Sequence, residues 1–138
     1  MANGYAGDVS PNEAWEMLQR ADTVLIDCRT TAEWNYVGRP DLAEVGKDVV
    51  LIEWQQYPSG EVNPNFVAEV MNAGVDKDAT VLTLCRSGVR SIAAAQALTA
   101  AGFESCFNIL EGFEGDKDDR DHRATLGGWK VAGLPWRQ

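Results

Sequence analysis

At 138 residues and 15.1 kDa, the chain suits one domain able to bury about two thirds of its unfolded surface. Its formal charge of −9 argues against a nucleic-acid or anionic-membrane partner, and no run approaches the ~18 apolar residues that span a bilayer. Three cysteines, an odd number, and one histidine make neither a disulfide framework nor a zinc set, so a reducing compartment, the cytoplasm, is expected, with no metal and no cofactor.

Met1-Ala2-Asn3-Gly4-Tyr5 has neither a basic n-region nor an apolar h-region, so no secretory leader is expected. Ser10-Pro11-Asn12-Glu13 has the form of a helix start, with Ser10 as N-cap, Pro11 at the first helical position and Glu13 closing a capping box. Trp15, Leu18 and Met17 supply its apolar stripe. Val24-Leu25-Ile26-Asp27 reads as a strand and runs into Cys28-Arg29; Thr30 or Thr31 then caps a short helix, with Glu33 near its first turn. Asp48 to Trp54, through Val49, Val50, Leu51 and Ile52, reads as another strand. Asn63-Pro64-Asn65 opens a helix through Phe66, Val67, Val70 and Met71 that Gly74 stops.

Thr80-Val81-Leu82-Thr83-Leu84 is a further buried strand, and Ile92, Ala95, Leu98 and Ala101 then fall at helical spacing, with Gly102 at the C-cap. Cys106-Phe107-Asn108-Ile109-Leu110 is the last strand candidate. The segment Glu114 to Arg123 is densely charged and reads as a solvated loop. The tail from Gly127 to Trp136 turns apolar and aromatic and is expected to pack back on the domain. Strands alternate with helices, and the strands are near-continuous apolar runs. That pattern predicts an α/β doubly wound fold, with a mostly parallel sheet covered by helices on both faces. Sites in such sheets lie at the carboxyl ends of strands, where both Asp27 and Cys85 fall.

The loop Cys85-Arg86-Ser87-Gly88-Val89-Arg90-Ser91 joins a strand to a helix. Its backbone N–H groups and the positive end of the helix both stabilise an anion, and a thiolate is an anion. Two of the chain's 12 Lys and Arg residues lie within this loop, so a small anion repelled elsewhere is attracted here. Gly88 permits a tight curl, Arg86 stands at the rim, and Arg90 is placed to reach back across the loop.

These residues resemble the rhodanese-like (sulfurtransferase) family. The likeness rests on Leu25-Ile26-Asp27-Cys28-Arg29 followed by Glu33-Trp34, on the Cys85–Ser91 loop, and on Glu111-Gly112-Phe113 through Trp129 to Gly133-Leu134-Pro135-Trp136. One departure is Gly38-Arg39-Pro40-Asp41-Leu42, where many members carry Gly-His-Ile-Pro-Gly; it bears on pocket shape and substrate preference. The resemblance implies one rhodanese-like domain over residues 1–138, with its core at about 10–136 and a five-stranded central sheet.

It further implies ping-pong sulfur transfer. Cys85 is the nucleophile that takes the outer sulfur of a small anionic donor such as thiosulfate. A thiol, cyanide or a protein acceptor then removes it. Arg86, Ser87, Gly88, Val89, Arg90 and Ser91 form the substrate cradle. Cys85 to Arg90 is a six-residue loop, one shorter than in phosphatases and arsenate reductases of similar fold, which favours sulfur over phosphoryl transfer. The two arginines favour thiosulfate over mercaptopyruvate. A persulfide carrier and a non-catalytic binding or regulatory module are the alternatives.

Other residues carry plainer readings. Asp27 and Arg29 orient the site or brace the loop. Cys28 and Cys106 are structural, and Cys28 becomes a resolving thiol only if it stands within reach of Cys85. His122 is solvated, which leaves no Cys–His dyad. Trp34, Trp54, Trp129 and Trp136 are packing residues, one or two of which are expected to wall the pocket.

Overall fold

Val24-Leu25-Ile26 and Val81-Leu82-Thr83 are apolar, β-branched runs that shed water on both faces, and the sheet forms around them. A computed structural model describes residues 3–56 and 58–138; Met1 and Ala2, which begin the segment read as lacking a leader, lie outside the described residues. In chain order the elements are β1 (Gly7–Val9), α1 (Pro11–Met17), β2 (Thr23–Asp27), α2 (Thr31–Tyr36), β3 (Arg39–Pro40), a 3-10 turn (Ala43–Val45) and β4 (Val50–Leu51). There follow α3 (Phe66–Asn72), β5 (Thr80–Leu84), α4 (Arg90–Ala100), β6 (Ser105–Ile109) and β7 (Trp136–Arg137).

The main sheet has the order β1-β6-β5-β2-β4, and every neighbouring pair in it is parallel. Strand alternation sends Ile26, Cys28, Val81, Cys85 and Cys106 to one face, where α3 and α4 cover them with Phe66, Val70, Ala94, Ala95 and Leu98. Leu25, Leu82, Leu84 and Ile109 point to the other, beneath Ala14 and Leu18 of α1 and beside Phe113 and Trp129. The expected two-faced parallel sheet is therefore present. Among the described residues no helix is long and apolar enough to cross a membrane.

The capping box predicted at α1 closes, and the cap predicted at α2 proves to be a capping box as well. Ser10 Oγ accepts the Glu13 N–H while Glu13 accepts the Ser10 N–H; Thr30, rather than Thr31, does the same with Glu33. The α4 stripe is Ser91, Ala94, Ala95 and Leu98, a run of small residues that seats the helix close to β5 and β6. Ala14 in α1 and Leu18 at its C-cap are fully buried, with Trp15 and Met17 half-buried beside them.

Two strands of the main sheet differ from the sequence reading, and the small β3–β7 pair is not foreseen by it. The run Asp48–Trp54 pairs only at Val50–Leu51, because at this sheet edge Ile52 N–H bonds Asp27 O and Trp54 N–H bonds Cys28 O as the chain turns away. Gly7–Val9 is a strand that carries no periodic signal of its own and is set by pairing with Phe107–Ile109.

The tail does pack back. Trp136–Arg137 pairs antiparallel with Arg39–Pro40, and Trp129 is wholly buried, its ring edge-on to Trp15 at 5.9 Å and its Nε1 donating to Pro135 O at 2.7 Å. The segment read as a solvated loop is largely exposed; within it Asp118 accepts the N–H groups of Arg120 and His122 and the Thr125 hydroxyl. Trp129→Ala should lower stability by about 3–5 kcal/mol, as for other buried aromatic deletions. Urea unfolding checks this: the midpoint falls while the slope stays constant.

Candidate functional site

The pairing of Asp27 with Leu84 brings the ends of β2 and β5 side by side. One residue beyond, Cys85 leaves the sheet and the chain curls into α4. Gly88 has φ 99°, and a Cβ there would stand 3.1 Å from Glu111 N and 3.4 Å from Ile109 O, so this position excludes side chains. Gly112 is as constrained, since its Cβ would stand only 2.4 Å from Cys85 O.

This close packing lets the turn after β6 clamp the loop from outside. Phe113 N–H donates to Cys85 O at 2.8 Å, and the N–H groups of Glu114 and Gly115 both donate to Arg86 O, at 2.9 and 3.2 Å. With these carbonyls held outward, the loop is free to aim amides inward. The Gly88 N–H does so, donating to Cys85 Sγ at 3.2 Å.

Ser91 Oγ lies 3.2 Å from the same sulfur and is hydrogen-bonded to Asn108 Oδ1. Asn108 Nδ2 in turn donates to Asp8 Oδ1 at 3.1 Å and Gly88 O at 3.3 Å. The single Ser91 proton can therefore serve the amide oxygen or turn to an anionic sulfur. Asn108 and Asp8 were missed by the sequence reading. The available signal was an asparagine in the middle of an apolar strand, a buried polar group that must find partners.

Arg90 does not reach back over the loop as expected. It forms a two-pronged ion pair with Glu33, 2.8 Å from Nη1 to Oε1 and 3.0 Å from Nη2 to Oε2, which ties α4 to α2. Burial raises the Glu33 carboxyl, but the Arg90 hydrogen bonds and charge outweigh it and hold the group below the usual carboxylate range. Arg86 is exposed at the rim and has no ion-pair partner among the described residues.

Above the sulfur opens a cleft of about 740 Å³ whose lining includes Cys85, Arg86, Ser87, Val89 and Arg90 from the loop. Its opposite wall is formed by Glu33 and Tyr36 of α2 and by Gln55 and Gln56. No tryptophan lines it among the described residues. Trp136 instead lies against Gly38, and Trp54 packs on Phe66. Gly88 and Ser91 sit behind the sulfur rather than in the cleft.

Asp27 and Arg29 also lie outside the cleft. Arg29 is wholly buried; it donates to Asp27 at 2.7 and 2.9 Å and to Gly38 O at 2.7 Å, and the Phe113 ring covers its guanidinium 4.2 Å from Cζ. It therefore braces the turn that clamps the loop. Cys28 and Cys106 are both fully buried, and His122 is exposed.

Known proteins resemble this chain in sequence and in fold. Residues 6–138 match a family model described as the STR4 middle domain. A crystal structure of Rv0390 from M. tuberculosis superposes with a TM-score of 0.88 at 46% identity, covering 97% of this chain and 98% of that one. An uncharacterised protein of Rickettsia conorii is 36% identical over 94% of this chain and 96% of its own length. Thiosulfate sulfurtransferase GlpE of Glaesserella parasuis is 32% identical over 78% of this chain and 83% of its own.

The Glu33–Arg90 pair has a pH signature. A carboxyl depressed in the folded state contributes stability above its unfolded value of about 4.3, and that contribution is lost as pH falls through the lower folded value. Glu33→Gln should therefore cost about 1–2 kcal/mol at neutral pH. In thermal melts across pH, the gap between parent and variant should close in the acid range.

Proposed function

The chain belongs to the rhodanese-like domain family as a sulfurtransferase-type or persulfide-related module, and from that premise we propose that it transfers a sulfane sulfur from thiosulfate through a persulfide on Cys85. One observation carries the reading: the Cys85 sulfur faces the cleft at the start of α4 with the Gly88 N–H on it and the Arg86 charge at the rim.

In the first step the Cys85 thiolate attacks the outer sulfur of thiosulfate. The S–S bond of the donor breaks, sulfite leaves with the bonding pair, and Cys85 becomes an S–S⁻ persulfide. In the second step a thiolate or cyanide attacks that terminal sulfur, and the electron pair returns to Cys85. Both resting states are anions at the same place. The N–H groups of the loop and the helix start support each of them without rearrangement. The hydroxyl of Ser91 turns from Asn108 to the sulfur when charge builds there. Arg86 attracts the dianion and holds its sulfonate end, and Arg90, fixed by Glu33, adds positive charge from below. The likeness to a thiosulfate sulfurtransferase supports this donor.

A persulfide-carrier reading differs only in the donor, a persulfidated protein instead of thiosulfate. It is favoured by the rim, where Tyr36 and Val89 are 81% and 71% exposed and offer apolar surface to a docking chain. Intact mass spectrometry separates the two readings. Thiosulfate should add the mass of one sulfur atom to the parent chain and none to Cys85→Ser; loading only from a persulfidated protein identifies the carrier.

Arg86→Ala should raise KM for thiosulfate about tenfold with kcat little changed, as expected for loss of one charged contact. The difference should shrink as salt is added. Initial-rate kinetics at two ionic strengths test this.

A further inference from the structure

The established ladder continues one residue past the paired Asp27 and Leu84: the Cys28 N–H donates to Leu84 O at 2.8 Å. Cys28 and Cys85 are thus the next pair across β2 and β5. Neighbouring parallel strands run about 4.8 Å apart, inside the ~4.4–6.8 Å that disulfides span between Cα atoms. Both side chains point to the same face, into the apolar cluster under α3 and α4. Cys106 shares that face but pairs with Val81, four residues back along β5, so it stands about 13 Å from Cys85 at ~3.3 Å per residue.

Cys28 is 0% exposed and Cys85 opens only onto the cleft. Cys85, though only 1% exposed, lines the cleft and Cys28 does not, so a small reagent in the cleft meets Cys85 first. The one sulfur that Cys28 can meet without unfolding is that of Cys85.

We propose that Cys28 is a resolving thiol which closes a reversible disulfide with Cys85 when a hydroperoxide oxidises the nucleophile. The hydroperoxide gives its terminal oxygen to the Cys85 thiolate, forming a sulfenic acid and releasing an alcohol, or water when the oxidant is hydrogen peroxide. Cys28 then attacks Cys85 Sγ. The S–S bond forms, the S–O bond breaks, and hydroxide leaves, taking up the Cys28 proton as water. Overall, two thiols are oxidised and one hydroperoxide is reduced. The bridge stops Cys85 short of sulfinic and sulfonic acid, which thiols do not reverse. A dithiol reductant reopens it.

Electrostatics supplies the timing. Burial first, and then negative charge at Cys85 and Asp27, push the Cys28 thiol well up, so it stays protonated. A sulfenic acid at Cys85 is neutral and removes its part of that opposition, while the nearby Arg90 charge still favours a thiolate. This site works on Cys85 whatever sulfur donor the protein uses.

The test treats the reduced full chain with one equivalent of hydrogen peroxide in the absence of any sulfur donor. The expected product has lost two hydrogens, gives a peptide joining Cys28 to Cys85 in a non-reducing digest, and returns to the starting mass with dithiothreitol. Cys106→Ala should behave like the parent. Cys28→Ala, with its fold checked by circular dichroism, should instead gain oxygens at Cys85 that dithiothreitol does not remove. Oxygenated Cys85 in the parent without a linked peptide overturns the proposal. A link to Cys106 or between two chains also overturns it. If Cys28→Ala fails to fold, the parent's peptide map decides alone.

Discussion

A guanidinium with no exposed surface sits behind this site, and the geometry in front depends on it. Burying such a charge is costly unless it is paired and hydrogen-bonded. Arg29 meets that demand by drawing in three separate segments: the end of β2 through Asp27, the exit of α2 through Gly38 O, and the turn after β6 through the Phe113 ring. Its Nη1 has no hydrogen-bond partner, which leaves the aromatic face as the remaining compensation on that side. Phe113 is the residue whose N–H holds Cys85 O. The position of Cys85 is thus passed from a buried charge, through a ring, to a backbone carbonyl. Neither Arg29 nor Asp27 lines the cleft.

The same arrangement explains what could be read from the chain before any coordinates. Thr23–Asp27 and Thr80–Leu84 declare themselves because central parallel strands are apolar throughout, and the helix starts at Ser10 and Thr30 declare themselves because capping is a matter of three residues. The Cys85 loop is equally local. What stayed hidden is long-range. Arg90 finds Glu33 at a separation of 57 residues and Ser91 finds Asn108 at 17, and no pattern in one segment announces a partner in another. Edge strands were the weakest reading for a related reason. Gly7–Val9 and Val50–Leu51 have one neighbour each, so pairing rather than composition defines them.

Charge follows a comparable division between whole and part. The chain carries −9 overall, yet Arg86 and Arg90 both line the cleft beside one sulfur. Arg90 is spent on Glu33, which fixes its place; Arg86 keeps its charge toward solvent. One cation is therefore held by the fold, and the other stands exposed at the rim. Two arginines four positions apart in sequence would not reveal that difference, and only the partner on α2 separates them.

The pairing of β1 with β6 has a consequence in time. Gly7–Val9 can join the sheet only after Phe107–Ile109 exists, and the clamp on Cys85 O comes later still, from Phe113. Contacts of such sequence separation form late because the intervening chain must first be ordered. On a ribosome, Cys85 would therefore emerge well before Phe113, whose N–H holds its carbonyl. Until Phe113 is in place, the Cys85 loop lacks the clamp that holds its first carbonyl outward.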